Sequence, residues 1–66
     1  MTKAEEKIYQ VIDNFIKENK YSPSIREICD LLGGRNVATV FVHLKKMRNK
    51  GYINYIDGKN RTIVIL

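Results

Sequence analysis

The sequence predicts a mainly α domain of three helices closed by a small two-stranded antiparallel β-hairpin. Three observations carry that expectation. Apolar residues recur at helical spacing as far as Asn49, two Ser/Thr-to-Glu signatures mark helix starts, and β-branched and aromatic runs take over after Gly51.

The first helix is expected from about Ala4 to Asn19. Ile8, Ile12, Phe15 and Ile16, with Val11 beside them, form one apolar stripe. Thr2 and Glu5 have capping-box spacing: the hydroxyl accepts an N–H that the first turn leaves orphaned, and the carboxylate accepts the N–H of the cap residue. No glycine ends this helix, so Asn19 or Lys20 must, and asparagine tolerates the left-handed conformation better than lysine. Tyr21-Ser22-Pro23-Ser24 then reads as a connector, because proline keeps the residue before it out of the helical region.

The second helix repeats the capping box with Ser24 and Glu27, has Ile25, Ile28, Leu31 and Leu32 as its apolar face, and stops at Gly33-Gly34. So short a helix depends on its neighbours for stability. After Arg35, Asn36 serves as N-cap of a third helix that runs to about Asn49 and closes at Lys50-Gly51. At about 100° per residue, Val37, Val40, Leu44 and Met47 fall on one side. Ala38, Thr39, Val42, Lys45, Lys46 and Asn49 fall on the other.

Strands are expected over Tyr52 to Ile56 and Thr62 to Leu66, joined by Asp57-Gly58-Lys59-Asn60-Arg61. No repeat or linker interrupts this order, so residues 1–66 form a single unit. Helix, helix, glycine turn, helix and hairpin together spell a winged helix-turn-helix.

Composition narrows function. Sixty-six residues bury only about 60% of the unfolded chain's surface, which excludes nearly every enzyme architecture. Hydrophobic residues at 44% and charged ones at 29% make a folded chain rather than a disordered tail. A net charge of +5 favours a polyanionic partner, nucleic acid ahead of an anionic membrane. The apolar runs are far shorter than the roughly 20 residues that span a bilayer, no signal peptide opens the chain, and a cytoplasmic location is expected.

No cofactor or metal is expected. Cys29 is the single cysteine and His43 the single histidine, too few soft ligands for zinc. His43 has no nucleophile or carboxylate arranged with it, so no catalytic residue is assigned. Cys29 reads as a small buried hydrophobe, with a redox switch as the lesser alternative.

The third helix carries the functional signal. A short glycine turn holds it across the second helix, and the major groove of B-DNA admits a helix whose first turns reach base edges. No acid occurs between Arg35 and Lys50, whereas a plain surface helix mixes signs; Lys45, Lys46 and Arg48 are read as outward charge, with Lys50 at the end. Base readout is assigned to Asn36, Ala38, Thr39, Phe41 or Val42, and Lys45. Phosphate positioning is assigned to Ser24, Arg26, Arg35, Lys46, Lys59, Asn60 and Arg61.

Over nearly its whole length the chain resembles the DNA-binding domain of the LexA repressors of the bacterial SOS response. The matching stretches are Tyr21-Ser22-Pro23-Ser24-Ile25-Arg26-Glu27-Ile28-Cys29, Leu32-Gly33, Thr39-Val40 with His43-Leu44, Lys50-Gly51-Tyr52-Ile53, and Arg61-Thr62-Ile63 before Ile65-Leu66. A generic winged helix requires the apolar pattern but not the Pro-Ser-x-Arg-Glu-Ile run. The resemblance implies that the helix from Asn36 lies in the major groove and that Asp57 to Arg61 is the wing on the DNA backbone.

Departures from the family pattern qualify this. Phe41-Val42 stands where a polar or acidic pair is usual, and Asn36 where serine is common, so the family's operator does not transfer. Lys20 replaces a usual glycine and Ser22 a proline, which implies a looser first connector. The family's self-cleaving peptidase domain has no counterpart in these residues. Two origins stay open: a domain of a longer repressor, or a freestanding small regulator.

Double-stranded DNA is therefore the expected partner, bound by two copies that pair only on the operator. Phe41 either roofs the core or, with Val42, forms a protein-binding surface. That surface defines the rival reading, a small module that binds and modulates another regulator. A membrane binder is disfavoured, because the apolar faces are needed for the core.

Overall fold

The computed structural model describes residues 1–66 and contains the expected elements in the expected order. These are α1 (Lys3–Asn19), α2 (Ile25–Leu31), α3 (Val37–Asn49), β1 (Ile53–Asn54) and β2 (Val64–Ile65). Both capping boxes form. Thr2 Oγ1 accepts the Glu5 N–H while Glu5 accepts the Thr2 N–H, and Ser24 and Glu27 repeat the arrangement.

Lys20 ends α1 in the left-handed conformation, φ 66°, where its N–H donates to the Ile16 carbonyl. Asn19 stays helical and donates its side-chain amide to the Phe15 carbonyl. At the end of α2, Gly33 and Gly34 take φ 89° and 85°, a pair of positive values that side chains strain against. The turn they make lets the N–H groups of Gly34 and Arg35 converge on the Cys29 carbonyl.

All helices and the hairpin feed one core. Ile8 and Ile12 come from α1, Ile28 and Cys29 from α2, Val40, Leu44 and Met47 from α3, and Ile53 and Ile63 from the hairpin. Val37, expected on the buried side of α3, is exposed. It is the first helical residue and lies at the lip of a surface groove rather than over the core.

The hairpin is shorter than its sequence implies. Only Ile53 with Ile65 and Asn54 with Val64 pair as strands. Beyond them the Ile63 N–H is diverted 3.0 Å to the hydroxyl of Ser22, and the Ile56 N–H to the hydroxyl of Thr62. Side chains thus take over where ladder bonds were expected. Ser22 is buried and also donates to the Pro23 carbonyl, so the first connector is tied to the hairpin instead of being loosened by the missing proline.

Candidate nucleic-acid interface

The exposed stripe of α3 is the one that the helical spacing selects: Ala38, Thr39, Val42, Lys45, Lys46 and Asn49 all face solvent. Thirteen residues give this helix a length of about 20 Å. Its N-terminus is closed by Asn36, whose Oδ1 accepts from the N–H of Ala38 at 2.8 Å and of Thr39 at 3.4 Å. While that cap holds, only the amide Nδ2 of Asn36 is free for a base edge.

Phe41 lies between the two placements considered for it, partly covering the hairpin and partly exposed. Its ring lies 6.4 Å from that of Tyr55, covering the hairpin, yet 41% of the residue remains exposed. The Lys45 ammonium sits 5.9 Å from the Phe41 ring centroid, one helical turn along. Val42 is exposed without comparable aromatic cover.

Charge along α3 sorts into two groups. Arg48 turns back to the hairpin, where it bonds Asp57 at 3.0 Å and the Tyr55 carbonyl at 3.3 Å. Lys50 bonds both carboxylate oxygens of the buried Glu5. Neither belongs to the outward charge assigned from the sequence, because each has a carboxylate brought to it by the fold. Lys45 and Lys46 form no ion pair, and neither do Arg26, Arg35 or Lys59.

The loop after β1 stands beside α3 and leaves an open, mostly apolar groove of about 650 Å³ between them. That groove brings together Ala38 and Phe41 from the helix with Lys59, Asn60 and Arg61 from the loop. Arg61 is exposed on one side and engaged on the other: it bonds Glu27 at 2.7 Å and the Ser22 carbonyl at 3.3 Å. The Ser24 hydroxyl oxygen accepts the Glu27 N–H at the start of α2.

Arg35 lies apart from the wing. It shares a second surface groove with Lys3, Lys7 and Gln10 of α1. The two lysines had no place in the sequence-derived set. Their spacing of four residues, opposite the apolar stripe, was the available signal.

Three carboxyl and phenol groups report the local fields. Thr2 N–H and then Lys50 hold the Glu5 carboxyl down at about 2. Ser24 N–H and then Arg61 hold Glu27 below the usual carboxylate range. Burial pushes the Tyr55 phenol up. His43 is half-buried on α3, and Cys29 is a buried free thiol packed in the core. No helix is long and apolar enough to cross a membrane.

Three helices, a glycine turn between the second and third, and a hairpin loop flanking the third helix define a winged helix-turn-helix module. The family model described as the LexA DNA binding domain matches residues 1–62, and the chain belongs to that family. Its whole length is 36% identical to the LexA repressor of Desulfatibacillum aliphaticivorans and 41% identical to that of Caldicellulosiruptor saccharolyticus. It is 35% identical to the transcription regulator LexA of Synechocystis. The chain spans about a third of the length of these relatives, 32% to 33%. The rival reading, a protein-binding module built on Phe41 and Val42, gains no support from these likenesses.

Proposed function

We propose that residues 1–66 act as a single sequence-specific module for double-stranded DNA and serve transcriptional repression by occupying an operator. The observation that carries this reading is the sorting of charge on α3. Arg48 and Lys50 are consumed by the fold, while Lys45 and Lys46 project unpaired beside Ala38, Thr39, Phe41 and Val42.

In this reading α3 enters the major groove. Val42 and Phe41 touch thymine methyl groups, Lys45 reaches guanine, Thr39 bonds a base edge, and Asn36 donates its free amide. Ser24, Arg26, Arg35, Lys46, Lys59, Asn60 and the outer side of Arg61 take phosphates, with Lys3 and Lys7 extending the set beside Arg35. A module of this kind covers only about 600 to 1,000 Å² of protein surface on DNA, so two copies on a symmetric site supply useful specificity.

Fluorescence anisotropy with duplex DNA tests this. Five cationic phosphate contacts, or seven with Lys3 and Lys7, give a slope of log affinity against log salt of roughly −4.5 to −6 per copy. Lys45→Glu/Lys46→Glu is expected to flatten that slope by about 1, through the phosphate contact of Lys46, and to weaken binding by about a hundredfold or more. Its helical content and melting should change little, because both side chains are exposed and neither forms an ion pair. Equal affinity for the variant would contradict the proposal.

A further inference from the structure

We propose that the wing is aimed by a two-sided clamp, in which Glu27 and Asp57 act as positioning residues for the backbone contacts of Lys59 and Asn60. The inference rests on the DNA-binding reading above.

The hairpin alone cannot fix the direction of its tip. It has two strand pairs, and a two-stranded ribbon of that size is marginal by itself. The roots of the loop are held from outside instead. On one side Arg48 of α3 bonds Asp57 Oδ1 at 3.0 Å, with its guanidinium carbon 4.1 Å from the Tyr55 ring centroid. On the other side Arg61 bonds Glu27 Oε1 at 2.7 Å, with its guanidinium carbon 5.1 Å from the Tyr21 ring centroid.

The two sides share one plan: an arginine on an aromatic face, held in place by a carboxylate. Guanidinium suits this because it stacks and donates in one plane, which an ammonium cannot do. Arg61 also takes a left-handed backbone, φ 56°, a conformation that persists in a non-glycine residue when its surroundings over-determine it. Its partners supply that restraint from two places, the connector carbonyl of Ser22 and the first turn of α2 at Glu27. The clamp therefore ties the wing to both helices of the helix-turn-helix. It leaves Lys59 as the unpaired cation at the tip.

The test turns on sign. Glu27→Gln retains the capping box, since glutamine serves at that position, but it loses the ionic hold on Arg61. It also removes one negative charge from a chain of net charge +5, so simple attraction to polyanionic DNA predicts tighter binding. The clamp predicts the opposite. Kd for duplex DNA should rise by roughly fivefold, and the salt slope should flatten by about one phosphate contact. Asp57→Asn should act in the same direction, and the double variant more strongly.

Melting temperature serves as the control and should hardly move, because these are partly exposed pairs of little stabilising value. In the free protein, the Arg61 side-chain protons shifted upfield by the Tyr21 ring should return toward ordinary values in Glu27→Gln. The amides of Lys59 and Asn60 should lose order by heteronuclear NOE. Unchanged or tighter binding by Glu27→Gln overturns the clamp alone. Absence of duplex binding by the unsubstituted chain overturns the clamp together with the reading beneath it.

Discussion

Asn36 bears two demands on one amide. Its carbonyl oxygen satisfies two of the N–H groups that begin α3, and in the proposed reading its nitrogen meets a base. Bidentate reading of adenine needs both donor and acceptor, so the cap restricts this residue to a single donated bond. Glu5 shows a parallel economy, joining the start of α1 to the end of α3 through Thr2 and Lys50. Its carboxyl lies at about 2 when folded, below the ordinary 4.5, so its contribution is present above about pH 4.5 and is lost as pH falls toward 2. Glu5→Gln removes that dependence while preserving the cap. Melting curves from about pH 7 to about pH 2 should therefore fall less steeply on the acid side for Glu5→Gln than for the parent chain. Parallel curves would contradict the assignment.

At the level of elements, the helix ends decide most of the geometry. Lys20 occupies a left-handed position at the end of α1 that costs a non-glycine residue roughly 1 to 2 kcal/mol. Lys20→Gly is expected to stabilise the fold by about 1 kcal/mol, raising the melting temperature by roughly 4 to 8 °C. A fall in melting temperature would show that the lysine side chain contributes more than its backbone costs. Features of this local kind were readable in the sequence. Both capping boxes and the paired glycines bond partners three to five residues apart, so their spacing announces them, and proline marks the connector by its own backbone restriction. The ends of the strands were not readable, because Ile63 gives its N–H to Ser22, 41 residues earlier. The same limit applies to charge: Lys50 meets Glu5 across 45 residues, and no helical wheel distinguishes it from the free Lys46. Exposure of the α3 stripe was legible, whereas the separation of ion-paired from unpaired cations required the fold.

For the whole molecule, size sets the manner of binding. The Cα extents are 25 × 25 × 22 Å, less than the roughly 34 Å that separates equivalent major-groove faces along B-DNA. In the proposed reading one copy covers one half-site, and these extents leave room for two copies side by side on an inverted repeat. The apolar residues on α3 add a further expectation. Phe41 and Val42, together with the methyl of Ala38, favour half-sites that contain thymine at the contacted positions. The central claim is that α3 reads DNA sequence while the wing holds the backbone, and it is tested most directly by selecting bound sites from a random duplex pool near physiological salt. The expected result is an enriched inverted repeat with half-site centres about one helical turn apart. A bound pool indistinguishable from the input would contradict it.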